Sequence, residues 1–385
     1  MNRRGMVMVL SLGTLVFISA VGATMLMRSL NEAQLSRRSA ARQSAFHLAD
    51  AAIDQAARNL KTPTDTSDDV TSRTMETGTF QLDTPVPDPN NAQVYRVTVH
   101  GTSSGETRDL EAVFQLLPKS VFQFALFGSQ TVSVSGNATT DSYDSRNGAY
   151  HAGAAGHDGD IGTNSTATGG VAVSGSIFVD GQVAVGSGAT NPTSVVTGYN
   201  PAFITGGTSP PSDTQDVVAQ SQNFPMPDVT IPSGCETTLP SSVHNVRTFV
   251  SGVTYCPPGD MTVNGNDTFT ATGPVKIYLA GQLIVNGNAT IGVASQPTWM
   301  QFLVSSTGSA TLTDTITGST LFYGTMYAPK ATVNISGNAQ LYGSIIAKTV
   351  NITGSAEIHY DEAATQITDT ANLYQAKLVA WQELN

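Results

Sequence analysis

The chain has 385 residues and a formal net charge of −11, with 40% hydrophobic and only 12% charged residues. This hydrophobic content excludes disorder of the whole chain, and the length is sufficient for a buried core. The acidic balance excludes nucleic acid as a partner, because few side chains could neutralise a phosphate backbone. The 36 glycines indicate frequent turns and a mainly β fold.

The N-terminal segment is predicted to cross a membrane. Residues 6–27 contain no charged side chain, and as a helix they would span about 33 Å, enough for a bilayer core. Arg3 and Arg4 precede this segment, which by the positive-inside rule keeps the N-terminus in the cytoplasm and the bulk of the chain in the periplasm. The helix is predicted to continue to Leu60, because residues 28–60 lack Pro and Gly and their apolar positions recur with a helical period.

The short basic leader and the apolar helix resemble a class III signal, the type found in type IV prepilins. The leader ends in Arg3-Arg4-Gly5, and the helix begins with Met6-Val7-Met8-Val9-Leu10. The later stretch 45–53 resembles the second half of the N-terminal helix of PilX-type proteins. The resemblance implies cleavage after Gly5 by a prepilin peptidase, a new N-terminus at Met6, and association with other pilins through the helix in the bacterial inner membrane.

Leu10 departs from the pattern of major pilins. It stands at the fifth mature position, where major pilins carry a Glu that is thought to pair with the N-terminal amine of a neighbouring subunit. PilX-like minor pilins and the tip pseudopilins of type II secretion are similar to this chain in often lacking that Glu. The resemblance therefore implies a minor component of a type IV pilus or related secretion fibre, contributing to assembly, priming or tip adhesion.

Other interpretations of the N-terminus stay open. Val21-Gly22-Ala23 is similar to a signal-peptidase site, which would make the segment a cleaved secretory signal. A plain, uncleaved anchor would instead make the chain an envelope adhesin or scaffold outside any pilus. A membrane-anchored carbohydrate-active enzyme is a third class. Because the sequence contains no G-x-S-x-G, P-loop or H-E-x-x-H motif, we expect a non-catalytic protein without a cofactor.

A small β region is predicted to follow the helix. Residues 62–75 are polar and linker-like, and the runs at 94–99 and 110–117 have strand composition, with turn residues at 101–105 between them. These runs predict an antiparallel hairpin. The N-terminal part is therefore divided into a leader (1–5), a helix (6–61), and a linker with a small β region (62–120).

The rest of the chain is repetitive, with recurring phrases of Val or Ile, a polar residue, Gly, and Asn or Ser. Gly337 and Gly354 stand 17 residues apart, and Gly265 and Gly287 stand 22 apart. Such periods indicate the coils of a parallel β-solenoid, in which alternate Val and Ile side chains point inward and Gly forms corners. An irregular solenoid is predicted for 121–361, with a β-sandwich as the alternative. A C-terminal strand or short helix is predicted within 362–385.

The two cysteines, Cys235 and Cys256, lie in the least regular part of the repeats. Export would allow a disulfide between them, which in the chain-entropy model adds about 3 kcal/mol of stability. Two unrelated buried thiols are the alternative. Because no C-x-x-C motif or neighbouring His pair accompanies the cysteines, they do not predict a zinc site.

Acidic residues in a Gly-rich stretch, Asp141, Asp144, Asp158 and Asp160, are candidate Ca²⁺ ligands. Their spacing matches neither an EF-hand nor a nonapeptide repeat, so turn capping is the favoured interpretation and no metal is predicted. The Thr- and Asn-rich repeats offer ladders of hydroxyl and amide groups at about 4.8 Å spacing. Such ladders predict a surface or a glycan as the ligand.

Overall fold

The computed structural model describes residues 3–62, 69–204, 216–305, 312–370 and 373–384, with residues 3–11 described as backbone alone. Helix α1 spans Arg3–Asn59, and short 3-10 helices occur at Ser145–Asn147, Ala152–Ala154, Pro192–Val195, Pro201–Phe203, Pro297–Trp299 and Glu362–Gln366. The chain divides into two compact units, Met1–Leu117 with Tyr374–Asn385, and Pro118–Leu373.

The strands are numbered in chain order. The first nine are β1 Ser72–Met75, β2 Gly78–Leu82, β3 Val86–Asp88, β4 Asn91–Ser103, β5 Glu106–Pro118, β6 Leu126–Gly136, β7 Thr139–Tyr143, β8 Ile161–Thr163 and β9 Val171–Gly175. The next nine are β10 Phe178–Val179, β11 Val183–Val185, β12 Val196–Thr197, β13 Val217–Ala219, β14 Ser242–Val243, β15 Val246–Phe249, β16 Thr254–Tyr255, β17 Met261–Val263 and β18 Thr268–Ala271. The last nine are β19 Val275–Leu279, β20 Leu283–Val285, β21 Thr290–Ile291, β22 Met300–Val304, β23 Thr313–Gly318, β24 Leu321–Gly337, β25 Gln340–Gly354, β26 Glu357–Asp361 and β27 Tyr374–Leu384.

In the first unit, the C-terminal part of α1 packs on a sheet of strand order β1-β2-β4-β5-β27, with β3 paired to β4. Ala45, Ala49 and Ala56, spaced along one side of the helix, are fully buried. Gly101 of β4 permits this close approach, because a Cβ there would lie 2.0 Å from the carbonyl oxygen of Ala45. Small residues on the helix and a glycine in the sheet thus fit the two elements together.

The predicted hairpin is confirmed as β4 and β5, which pair antiparallel with Val97 opposite Ala112. Its turn is tighter than the predicted one, because the strand continues past Gly101 to Ser103. Ser104 and Gly105 form the turn and both have positive φ, 48° and 83°, as two-residue hairpin turns require.

The C-terminal segment ends in a strand, β27, that joins the same sheet beside β5. The Tyr374 N–H donates to the Lys61 carbonyl oxygen at 2.8 Å, and Arg108 pairs with Glu383 at 2.5 Å. Tyr374 and Ala376 also pack against the core between helix and sheet. The sequence favoured a strand here. It did not predict that this strand pairs with β5, because the sequence of a single strand does not identify its pairing partner.

The second unit is an irregular parallel β-solenoid, as the repeats predict. Gly337 of β24 pairs with Gly354 of β25, so the 17-residue step is one coil. The 22-residue step pairs Met261 of β17 with Leu283 of β20. Inward-pointing side chains of these coils form one continuous apolar core. Because the strands pair in parallel, the alternative prediction of a β-sandwich is wrong.

The order of coils in the stack differs from their order along the chain. β6 and β7, the first strands of this unit, lie between the coil of β25 and β26 and the coil of β8 and β9. The stack continues on one side through β11 and β13, and on the other through β24, β23, β20 and β17. The repeats did not predict this arrangement, because a period identifies a coil but not its neighbour.

Glycine forms one corner of successive coils. Gly136, Gly337 and Gly354 have φ values of 103°, 85° and 102°, a region that side chains with a Cβ rarely adopt. A Cβ on Gly354 would also lie 2.5 Å from the carbonyl oxygen of Gly337 in the adjacent coil. Backbone conformation and close coil stacking therefore both account for the Gly in the repeat phrase.

Candidate functional site

The two halves of α1 have different environments. From Leu12 onward the helix contains an apolar window of mean hydropathy 1.5, none of it buried, and by length and composition this helix can cross a membrane. Phe17 and Ile18 are 70% and 69% exposed, whereas Ala45 and Ala56 are 0% exposed. The C-terminal half of the helix thus packs on a sheet, and the described part of the N-terminal half presents an exposed apolar surface.

The predicted processing residues lie at the start of α1. Gly5, Met6 and Leu10 have helical backbone, and the side chains of residues 3–11 lie outside the described part of the structure. Cleavage after Gly5 and the role of Leu10 therefore stay predictions. Farther along the helix, Arg28 pairs with Glu32 at 3.1 Å on the exposed surface.

Cys235 and Cys256 form a disulfide, with their Cα atoms 5.8 Å apart. Backbone hydrogen bonds accompany it, since the Cys256 N–H donates to the Glu236 carbonyl at 2.7 Å and the Glu236 N–H to the Thr254 carbonyl at 2.9 Å. The bridge therefore fastens the irregular segment before β14 to β16 of the solenoid.

The four candidate Ca²⁺ ligands have structural partners or neighbours. The Asp144 carboxylate pairs with the Arg146 guanidinium at 2.7 Å, which lowers the pKa of Asp144. Asp160 accepts a hydrogen bond from the Gln182 N–H at 2.7 Å, and burial raises its pKa to about 6. Asp158 and Asp160 line one open cavity of about 300 Å³. Among the described residues, no group of three or more His, Cys, Asp or Glu could hold a metal ion.

One face of the solenoid, the covered face, is buried under segments of the same unit. Leu303, Tyr327 and Ile346 come from β22, β24 and β25, and each is fully buried in an apolar cluster outside the solenoid core. The residues that cover them include Phe122, Phe224, Ile367 and Leu373. The Tyr327 hydroxyl donates to the Pro227 carbonyl at 2.6 Å. This face is therefore closed to a ligand.

A second face carries a row of stacked rings, here called the aromatic row, formed by Tyr323, Tyr342, His359 and Tyr150. Ring centroids are 4.6 Å apart for Tyr323 and Tyr342, 4.8 Å for Tyr342 and His359, and 3.8 Å for His359 and Tyr150. Asp141, the remaining Ca²⁺ candidate, accepts a hydrogen bond from the Tyr150 hydroxyl at 2.7 Å and lies 2.6 Å from His359 Nδ1. Tyr323 and Tyr342 occupy paired positions of adjacent coils, and the sequence did not predict their stacking.

A third face consists of side chains that alternate with the core positions of β23, β24, β25 and β6. Its first column is Thr313, Thr332, Thr349 and Thr131. Its second column is Thr315, Asn334, Asn351 and Ser133. Its third column is Thr317, Ser336, Thr353 and Ser135. These positions are called the hydroxyl–amide face; Thr353 is exposed, and the others are partly exposed.

Side chains of the hydroxyl–amide face are linked along the columns. The Asn351 amide donates to Asn334 Oδ1 at 2.9 Å, one coil away. At the edge of the face, the Thr317 hydroxyl donates to Asn286 Oδ1 of the adjacent coil at 2.9 Å, and the Asn286 amide donates to Asn264 Oδ1 at 3.1 Å. These bonds fix side-chain orientation, while each amide and hydroxyl has the capacity for further hydrogen bonds. The predicted ladders of hydroxyl and amide groups are thus present on a single face.

Comparisons with known proteins give partial likenesses. Residues 224–367 match a domain of unknown function, DUF7305, and no curated protein matches the chain. Among solved structures, the competence-associated pilin ComZ from Thermus thermophilus is 12% identical with a TM-score of 0.33, over 89% of this chain and 97% of ComZ. The DUF3494 domain of ice-binding protein 1 from Shewanella frigidimarina is 16% identical with a TM-score of 0.35, over 64% of this chain and 99% of that domain. An ice-binding protein from an Antarctic Flavobacteriaceae bacterium is 14% identical with a TM-score of 0.35, over 63% and 48% of the two chains.

Proposed function

We propose that this chain is a minor, pilin-like component of a type IV pilus or a related type II secretion fibre, with a non-catalytic role in assembly, priming or tip adhesion. The observation that carries the proposal is the division of α1. Its buried half packs on an antiparallel sheet through Ala45, Ala49 and Ala56, and none of its apolar window from Leu12 onward is buried. A bare apolar helix needs a lipid bilayer or the helices of other subunits around it.

The N-terminal motif supports a fibre over a simple anchor. Arg3 and Arg4 precede Gly5 directly before the apolar run, as in the prepilin signals that the leader resembles. A prepilin peptidase would cut after Gly5, and the mature helix would remain in the inner membrane until assembly. The bulk of the chain would then lie in the periplasm and reach the cell surface only with the fibre.

Leu10 supports a minor rather than a major subunit. A Leu side chain offers no carboxylate to pair with the N-terminal amine of a neighbouring subunit, which is the role the resemblance assigns to Glu at this position. A subunit at the tip has no neighbour above it and does not require that pair. The partners we propose are therefore the prepilin peptidase, the inner membrane, and other pilins through α1.

The experiment compares processing and fibre incorporation of two glycine variants of the full chain. Gly5→Val alters the proposed cleavage site, and Gly13→Val is the control, a change of the same size farther along, inside the apolar segment. We expect Gly13→Val to lose its leader and to appear in sheared fibres like the unmodified chain. Gly5→Val should keep its leader and be absent from the fibre fraction. Equal processing of both variants, or absence of the unmodified chain from fibres, would contradict the proposal.

A further inference from the structure

We propose that the hydroxyl–amide face binds a neutral crystalline polysaccharide, namely a surface of flat, β-linked sugar chains lying side by side. The inference deepens and rests on the proposed function, because a fibre would carry the second unit to the cell surface. The binding itself involves the second compact unit alone and needs no fibre. The two proposals can therefore fail separately.

The absence of charged side chains from the positions of this face favours a neutral ligand. The chain carries 29 acidic residues against 18 basic ones, yet all the positions of the hydroxyl–amide face are Thr, Ser or Asn. The aromatic row differs, since Asp141 contacts it and Glu357 lies 3.8 Å from His359. A charged polymer would find no counter-charge on the hydroxyl–amide face, whereas sugar hydroxyls would find both donors and acceptors.

The shape of the face selects an extended ligand. Its positions form a grid, about 4.8 Å apart from strand to strand and about 6.7 Å apart along each strand. Sites for single small molecules are concave, while this face is a repeating array of side chains on four adjacent strands. A flat chain, or a layer of such chains, could place hydroxyl groups against many grid positions at once.

The face is also rigid before any ligand arrives. Val333, Ile335 and Ile352 alternate with the grid positions and are buried in the core, which fixes the backbone beneath the face. The bond between Asn351 and Asn334 orients two amides of the central column. Little side-chain freedom would be lost on binding, which favours recognition through many individually weak hydrogen bonds.

The central column fits a sugar surface, and the test below distinguishes it from ordered water, the other neutral periodic surface. It combines Thr315, Asn334, Asn351 and Ser133, whose side chains reach different heights above the sheet. Sugar hydroxyls and ring oxygens also stand at different heights on the face of a sugar chain. The amides further supply paired donors and acceptors, which match neighbouring sugar hydroxyls.

The test is co-sedimentation of the full chain, purified in detergent, with particles of microcrystalline cellulose, chitin and cross-linked alginate. Asn351→Arg and Thr353→Arg place a long charged side chain on the face, and Thr353 is the more exposed position. Gln340→Arg is the matched control, since it changes another outward amide of β25 on the face with the aromatic row. Thermal melting establishes that each variant is folded. If Asn351→Arg does not fold, Thr353→Arg alone is sufficient for the test.

We expect the unmodified chain and Gln340→Arg to sediment with cellulose or chitin but not with alginate. The face variants should bind about tenfold more weakly or worse. The proposal is overturned if the unmodified chain stays in solution with both neutral particles, or if the folded face variants bind as well as it does. In a parallel assay of retention in growing ice, retention without binding to cellulose or chitin would overturn the proposal in favour of ordered water. An uncut N-terminus with intact binding would contradict the fibre and leave this inference standing.

Discussion

Asp314 is a carboxylate at an inward position of the solenoid. It lies between Leu283 and Val333 in neighbouring coils, where alternation in the sequence would place an apolar side chain. It is 0% exposed and accepts a hydrogen bond from the Leu283 N–H at 2.6 Å. Burial raises its pKa from the ordinary value of 3.8 to about 7. The neutral acid is therefore the form that the fold prefers.

Replacement of Asp314 by Asn should change how stability depends on pH. Because the folded-state pKa is raised, the contribution of Asp314 is fully present below its ordinary pKa and is lost as the pH rises through about 7. Asp314→Asn keeps an oxygen acceptor for the Leu283 N–H and cannot ionise. From about pH 5 to about pH 8, we expect the variant to gain about 2–3 kcal/mol of unfolding free energy relative to the unmodified chain.

Denaturant titrations of both proteins at a series of pH values measure this difference. The comparison is internal, because every other titrating group is shared by the two chains. Parallel pH profiles for the two proteins would show that Asp314 titrates normally and would contradict the assignment.

The corner glycines allow a second substitution test. Gly354 and Gly259 both have positive φ, 102° and 81°, but only at Gly354 would a Cβ approach another coil, at 2.5 Å from a carbonyl oxygen. Gly259→Ala should cost about 1–2 kcal/mol through backbone strain. Gly354→Ala should cost a further 1–3 kcal/mol or so, since the coils must separate. Equal unfolding free energies for the two variants would contradict the close coil contact.

At the scale of elements, local sequence signals predicted the elements that depend on residues close together in the chain. The run without Pro or Gly up to Leu60 predicted the long helix, which ends at Asn59, and the spacing of Gly337 and Gly354 predicted one coil. The insertion of β6 beside β25 and the return of β27 to β5 were not predictable from periods. Both depend on pairing between segments far apart in sequence, which composition does not encode.

The disulfide links two segments of the solenoid and can be removed by substitution or by reduction. Cys235 and Cys256 close a loop with a sequence separation of 21 residues. A double replacement by Ser should lower the unfolding free energy by about 3 kcal/mol. Denaturant midpoints measured with and without a reductant provide the control, because reduction should destabilise the unmodified chain and leave the double variant unchanged. An effect of reductant on both proteins would show that the change has another origin.

At the scale of the whole molecule, the sequence predicted the chemistry of the solenoid surface better than its geometry. The repeats predicted ladders of hydroxyl and amide groups, and β23, β24, β25 and β6 carry them. The sequence did not predict that another face would be covered, because Phe224 and Leu373 lie far from the repeats that they cover. Which face stays bare depends on this tertiary packing.

The central claim is that the chain is processed as a prepilin, and the mass of its N-terminal peptide tests that claim most directly. The full-length protein would be isolated from cell membranes and its N-terminus determined by mass spectrometry. The account predicts a chain that starts at Met6 and carries an N-methyl group. A start at Met1 would leave a plain anchor, and a start near Thr24 would mean a secreted protein; either result would contradict a role in a fibre.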